Sequence, residues 1–258
     1  MHHKEEYIAV FDSGVGGISV LRHLRRELPE ERFLYFGDSA NAPYGTRPTE
    51  QIRELTLKAA EKLIARGIKA LVVACNTATS AAINDLRRLY PELIVIGIEP
   101  ALKIACDRYP GGSVGVMATP ATLREEKFAR LLERCGDICT VVKLPAAGLV
   151  ELVESGKADS PEMDALLESI LTPYAGKLDA VVLGCTHYPF ASKAISNLLG
   201  KKTVLLDGGE GTARETKRRL AAANLLRHGT GEVIFENSGP DNGDFCRALL
   251  EDVCTTKA

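Results

Sequence analysis

The chain has 258 residues, with 32 Lys plus Arg against 34 Asp plus Glu and a formal net charge of −2 at pH 7. That length accommodates two domains with real cores, and the balanced charge leaves no footprint for nucleic acid. No apolar stretch reaches the roughly 18 residues needed to span a bilayer, and the first residues, Met1 to Glu6, lack the apolar core of a signal peptide. A cytoplasmic protein with neither nucleic-acid nor membrane partners is the expectation. His2 and His3 are assigned no function.

In chain order, apolar β-rich runs fall at Tyr7–Phe11, Arg32–Phe36, Ala70–Ala74, Leu93–Ile98, Ser113–Ala118, Cys139–Leu144, Ala180–Leu183, Thr203–Leu206 and Val233–Glu236. Helical patterns lie between most of them. The clearest is Pro48–Arg66, with Ile52, Leu55, Ala59, Leu63 and Ile64 on one face, Pro48 suiting its first turn and Gly67 its stop. Strands alternating with helices imply parallel sheets. Asp12-Ser13-Gly14-Val15-Gly16-Gly17 follows the first strand and opens a helix near Ile18, so its backbone N–H groups suit a carboxylate. It is not a dinucleotide fingerprint, because Ser19 stands where that pattern needs glycine. After the second strand, Gly37-Asp38-Ser39 runs into Pro43-Tyr44-Gly45, a loop whose Tyr44 and Gly45 amides suit a second carboxylate.

Two cysteines sit in matching surroundings. Ala70-Leu71-Val72-Val73-Ala74-Cys75-Asn76-Thr77 and Ala180-Val181-Val182-Leu183-Gly184-Cys185-Thr186-His187 each read as a buried strand, a small residue, a thiol and polar groups. Ile8–Ser13 and Val114–Thr119 echo one another in the same order, which points to an internal duplication. The expected fold is α/β, with two similar lobes, each a mainly parallel sheet flanked by helices. The first lobe is placed at residues 1–98 plus 208–258 and the second at 99–207, with the active site in the cleft between them. Each Cys then lies at the carboxyl end of a strand, where open α/β sheets bind ligands. Two thiols on opposite sides of one carbon can remove a proton from one face and return it on the other. A free thiol has a pKa near 8.5, so each needs help: a helix N-terminus directly after each strand, Asp12 beside Cys75 and His187 beside Cys185.

The other cysteines carry less. Seven is an odd number and favours reduced thiols. Cys135 and Cys139 form a lone C-x3-C without the further ligands zinc needs, so no metal is expected. Cys106, Cys246 and Cys254 read as small core or surface residues.

Phe11–Gly17, Gly37-Asp38-Ser39 through Pro43-Tyr44-Gly45, Ala74-Cys75-Asn76-Thr77-Ala78-Thr79 and Gly184-Cys185-Thr186-His187-Tyr188-Pro189 resemble glutamate racemase, in the right order from about residue 7 to 215. The resemblance implies a cofactor-independent isomerase that interconverts L- and D-glutamate and supplies D-glutamate for peptidoglycan. It also implies Cys75 and Cys185 as proton donor–acceptors, with Cys185 deprotonating L-glutamate and Cys75 D-glutamate. Asp12, Ser13, Tyr44, Gly45, Asn76, Thr77, Thr186 and His187 would hold substrate, Asp12 and His187 also tuning the thiols. Glu151 matches a carboxylate near the second cysteine, and Thr119, opposite Ser13 in the repeat, is a further substrate-binding candidate. The short N-terminus lacks the leader of relatives activated by a cell-wall precursor, so that regulation is not expected.

No lysine lies in these motifs to form a pyridoxal Schiff base, so no cofactor is expected. The expected partner is the small-molecule substrate, and a homodimer is compatible with the sequence. Three rival readings stand beside this one: a sibling racemase for aspartate or another acidic amino acid, a covalent cysteine enzyme, and a two-lobed amino-acid binder without catalysis. A cysteine phosphatase would need arginine where Ala81 and Ala191 stand.

Overall fold

The computed structural model describes residues 7–98, 101–124 and 126–251, so His2, His3 and Cys254 lie outside the described residues. The chain first forms β1 (Tyr7–Asp12), α1 (Ile18–Glu27), β2 (Arg32–Gly37), α2 (Thr49–Ala65), β3 (Ala70–Val73), α3 (Asn76–Leu89) and β4 (Ile94–Gly97). It continues through α4 (Leu102–Arg108), β5 (Ser113–Ala118), α5 (Pro120–Arg124), α6 (Glu126–Gly136), β6 (Thr140–Pro145), α7 (Leu149–Glu154), α8 (Pro161–Leu171), β7 (Ala180–Leu183), α9 (Ser192–Leu199) and β8 (Val204–Asp207). It closes with α10 (Gly209–Ala222), β9 (Glu232–Asn237) and α11 (Gly243–Glu251). Contacts divide the described residues into two compact units, 7–98 with Gly209–Glu251, and 101–208.

Every apolar run named above forms a strand, with small shifts at the bounds. The reason is burial on both faces: β1, β3 and β7 are buried at every position. Such strands read as unbroken apolar runs because helices cover both sides of a parallel sheet. The edge strands β6, β8 and β9 are the exceptions, β8 half-buried throughout and β9 without a buried residue; β6 is the most open. As an edge strand it exposes Thr140, Lys143 and Pro145.

The first unit holds a five-stranded sheet in the order β4-β3-β1-β2-β9, and the second a four-stranded sheet in the order β6-β5-β7-β8. All pairings are parallel. Apart from β9 the two orders are the same, and so is the register. Val10 faces Val72 across β1 and β3 as Val116 faces Val182 across β5 and β7; Ala70 faces Ile94 as Ala180 faces Val204. In each sheet the winding direction reverses between the first strand and the third, which opens a crevice at their carboxyl ends. Asp12 and Ser13 lie beside Cys75 at the first of these points, and Thr119 beside Cys185 at the second.

Two local expectations are corrected. Pro48 caps α2 in an extended conformation (φ −60°, ψ 143°) and does not enter its first turn, while Gly67 at φ 79° ends the helix as expected. Ile52, Ala59 and Leu63 of that helix are buried. Cys106 and Cys139 are joined in a disulfide, Cα atoms 5.5 Å apart, where the sequence suggested free thiols. The chain separation of 33 residues leaves no local signal of that pairing. Cys135 remains a free buried thiol in the same apolar core, and burial, aided by the charge of Asp107, pushes its pKa up. Cys246 is buried on α11.

Candidate active site

In the first unit the reactive groups sit just past the carboxyl ends of β1, β2 and β3. Cys75 caps α3: its Sγ accepts from the Ala78 N–H at 3.5 Å and lies 3.5 Å from Ser13 Oγ. A helix N-terminus carries partial positive charge, so this placement favours a thiolate. Asp12 is fully buried and its Oδ1 accepts from the Gly14 N–H at 3.1 Å. Gly17 is required there, because a Cβ on it would stand 2.7 Å from Asp12 Cβ. Asn76 and Thr77, the first residues of α3, are both buried. Asn76 Oδ1 is a buried acceptor with no hydrogen-bond partner among the described residues. Leaving such an atom unpaired costs about 1–3 kcal/mol, which a bound donor would recover.

Tyr44 lies in the loop after β2, in a single 3₁₀ turn, Tyr44–Thr46, and is buried while Gly45 is half-buried. Its hydroxyl donates to Asp38 Oδ2 at 2.6 Å. Burial raises the Tyr44 pKa, helped by the Asp38 hydrogen bond and by the charges of Asp38, Cys75 and Asp12. Tyr44 therefore stays protonated, close enough to Cys75 and Asp12 to register their charge.

In the second unit Cys185 follows β7 after Gly184, where any Cβ would stand 2.8 Å from Met117 O. Cys185 Sγ lies 3.6 Å from His187 Nδ1, and His187 Nε2 lies 2.6 Å from Glu154 Oε1. A carboxylate partner requires the proton on Nε2, so Nδ1 is left to exchange a proton with sulfur. Burial opposes charge on His187, but the hydrogen bonds and charges of Cys185 and Glu154 outweigh it and raise its pKa well above the ordinary 6.5. The Tyr188 hydroxyl donates to Ala146 O at 3.1 Å. Thr186 is buried, and Thr119 Oγ1 accepts from the Thr122 N–H at 3.2 Å, capping α5.

The carboxylate against this histidine is Glu154; Glu151, the carboxylate that the resemblance places near the second cysteine, is a separate residue of the same helix. The two are one helical turn apart on α7, and Glu151 is exposed, its charge felt at Tyr188. Residues three apart share a helix face, so spacing could have flagged Glu154 but could not choose between them. No α-helix begins directly after Cys185 either. A 3₁₀ turn, Tyr188–Ala191, comes first and α9 starts at Ser192. A helix capped by Cys185 would place Pro189 at its fourth position, where the missing N–H breaks the first turn. Asp38 and its partner Asn41 were not singled out by the sequence, since a short loop has no periodicity.

The model of the Asp/Glu/Hydantoin racemase family matches residues 16–216. The chain belongs to that family. It is 46% identical over 242 residues to a glutamate racemase of Clostridium perfringens strain SM101, covering 93% of each chain. Among solved structures of the family, glutamate racemase from Thermus thermophilus in complex with β-chloro-D-alanine is similar at TM-score 0.79 and 38% identity, over 96% of this chain and 93% of that one. Glutamate racemase from Francisella tularensis in complex with D-glutamate is similar at TM-score 0.82 and 26% identity, over 96% and 95%.

Proposed function

We propose that this racemase interconverts L-glutamate and D-glutamate by cofactor-independent proton transfer between two cysteines, supplying D-glutamate for peptidoglycan. The observation that carries the reading is the repeated placement of a buried thiol. Cys75 and Cys185 stand beyond equivalent strands of two sheets with one strand order, each beside its own polar partner.

The reaction requires one sulfur on each face of the substrate α-carbon. The α-proton of an amino acid is weakly acidic, so the developing carbanion needs charge stabilisation and exclusion of water. One thiolate takes the proton; the opposite thiol delivers its own to the other face. Nothing is consumed, and the enzyme ends with the thiol and thiolate exchanged, set for the reverse direction. At Cys75 the negative charge is met by the α3 N-terminus and the Ser13 hydroxyl. At Cys185 it is met by His187, which holds the proton between sulfur and the Glu154 carboxylate. Asn76 Oδ1 suits the substrate ammonium. The N–H groups at the start of α1 and of Tyr44 and Gly45 suit its carboxylates, with Thr77, Thr119 and Thr186 as further polar contacts. Two reduced thiols suit the cytoplasm, and a homodimer is compatible with this reading.

The test is circular dichroism of L-glutamate incubated with purified protein and no additive. Decay of the signal to zero is the expected result. No decay with glutamate, alongside decay with L-aspartate, would reassign the substrate.

A further inference from the structure

The loop from Asp38 to Arg47 pairs with no strand and holds only two single 3₁₀ turns, Ser39–Asn41 and Tyr44–Thr46. Such a segment keeps one conformation through side-chain ties. Its other ties are less buried: the Ala40 N–H donates to Ser238 Oγ at 3.1 Å, the Ser39 N–H to Asn237 Oδ1 at 3.3 Å and Arg47 Nε to the Asn41 carbonyl at 2.8 Å. Its buried tie is of another kind. Asp38 is 4% exposed, and its carboxylate receives the Tyr44 hydroxyl at 2.6 Å and the Asn41 amide at 3.0 and 3.1 Å. Among the described residues no cation pairs with it.

A buried carboxylate without a counter-charge is costly unless hydrogen-bond donors surround it. The donors here come from the loop itself. The conformation that brings Asn41 and Tyr44 inward is therefore the one that satisfies Asp38, and any other strands the charge. Asp38 is in turn fixed to the sheet, since its own N–H donates to Asp12 O at 2.9 Å. The Tyr44 ring lies against Phe11 of β1 with centroids 6.4 Å apart.

We infer that Asp38 is a positioning residue, whose buried carboxylate anchors Tyr44 and Asn41 and so fixes the Tyr44 and Gly45 amides for a substrate carboxylate. The inference rests on the proposed racemase reading for its substrate, but the anchoring itself does not. Asp38 moves no proton in the reaction. It sets the distance between the loop amides and the end of β1, where Asp12 and Ser13 stand.

Tyr44→Phe keeps the ring and deletes the anchoring hydroxyl; Asp38→Asn keeps the shape and deletes the charge. Each is expected to raise KM for both glutamate enantiomers on the order of tenfold while kcat stays within about threefold. The double variant should be no worse than the poorer single variant, because both changes cut one tie. Amide hydrogen exchange over residues 39–46 should speed up in each variant, with that of β1 and β3 unchanged. A fall in kcat at constant KM would give Asp38 a role in proton transfer and overturn the inference, as would additive effects or unchanged exchange. If the unaltered protein racemises no amino acid, the functional reading fails alone, and exchange still decides whether Asp38 anchors the loop.

Discussion

Cys75 and Cys185 stand at corresponding places in two sheets of one strand order, yet the chain prepares them by different means. Cys75 is served largely by backbone, with the buried Asp12 nearby: it caps a 14-residue helix, accepts from the Ala78 N–H and touches a neutral hydroxyl. Cys185 is served by a titrating side chain, His187, backed by Glu154, with a 3₁₀ turn where the other half has a helix. The repeat thus conserves where sulfur stands and leaves open how its charge is met. Backbone dipoles do not titrate, so in the first half pH sensitivity is left to groups such as the buried Asp12, and in the second it enters through His187 and Glu154.

The largest effect expected is the loss of either sulfur. Cys75→Ser and Cys185→Ser should each lower racemisation on the order of 10³-fold in both directions, since every turnover needs an acid and a base. With a glutamate analogue that expels a β-leaving group after deprotonation, one thiolate suffices. Cys75→Ser should then process one enantiomer of the analogue and largely fail with the other, and Cys185→Ser the reverse. Equal loss for both enantiomers in both variants would remove the distinction between the halves.

His187→Asn sharpens the comparison, because it disables the support of one sulfur only. L- and D-glutamate have equal free energy, so kcat/KM for racemisation must fall equally in both directions and cannot reveal the asymmetry. Elimination from the analogue can. The enantiomer deprotonated by Cys185 should slow on the order of 10²-fold while the other keeps most of its rate.

Glu154→Gln should act in the same sense but more weakly, by about tenfold. It also tests the pH argument. Because the folded-state pKa of His187 lies above the ordinary 6.5, its stabilisation is complete below that value and is lost as pH rises through the folded pKa. Removing the carboxylate lowers the folded pKa, so the loss, which starts near the same pH in both proteins, should end at lower pH and be smaller in total. Melting temperatures of both proteins across about pH 6 to 9 check this; curves that stay parallel would break it. Ser13→Ala should matter least, a few-fold at most on the Cys75 side, because a long contact to sulfur is weak.

Much of the architecture is legible in the sequence because buried parallel strands such as Ala70–Val73 are apolar throughout. The thiol positions follow, since each stands just beyond such a run. What escapes is what depends on side chains meeting across the chain. Glu151 and Glu154 share one helix face, and only the packed helix shows which meets His187. Asp38 and Tyr44 meet inside a loop, and Cys106 and Cys139 across 33 residues, where no periodicity reports the partner. The helix expected after Cys185 fails because Pro189 forbids it, a local rule that the symmetry of the two halves does not override.

The added strand of the first sheet has a consequence for how the chain is made. β9 lies alongside β2, yet Arg32 faces a residue, Glu232, that is 200 positions later. The whole of Pro100–Gly208 leaves the ribosome in between. At about 5–20 residues per second, the outer edge of β2 waits some 10–40 s for its neighbour during synthesis. The inserted unit, by contrast, has all its strands once residue 207 is out. The sheet behind Cys185 can thus be complete before the sheet behind Cys75 gains its last strand.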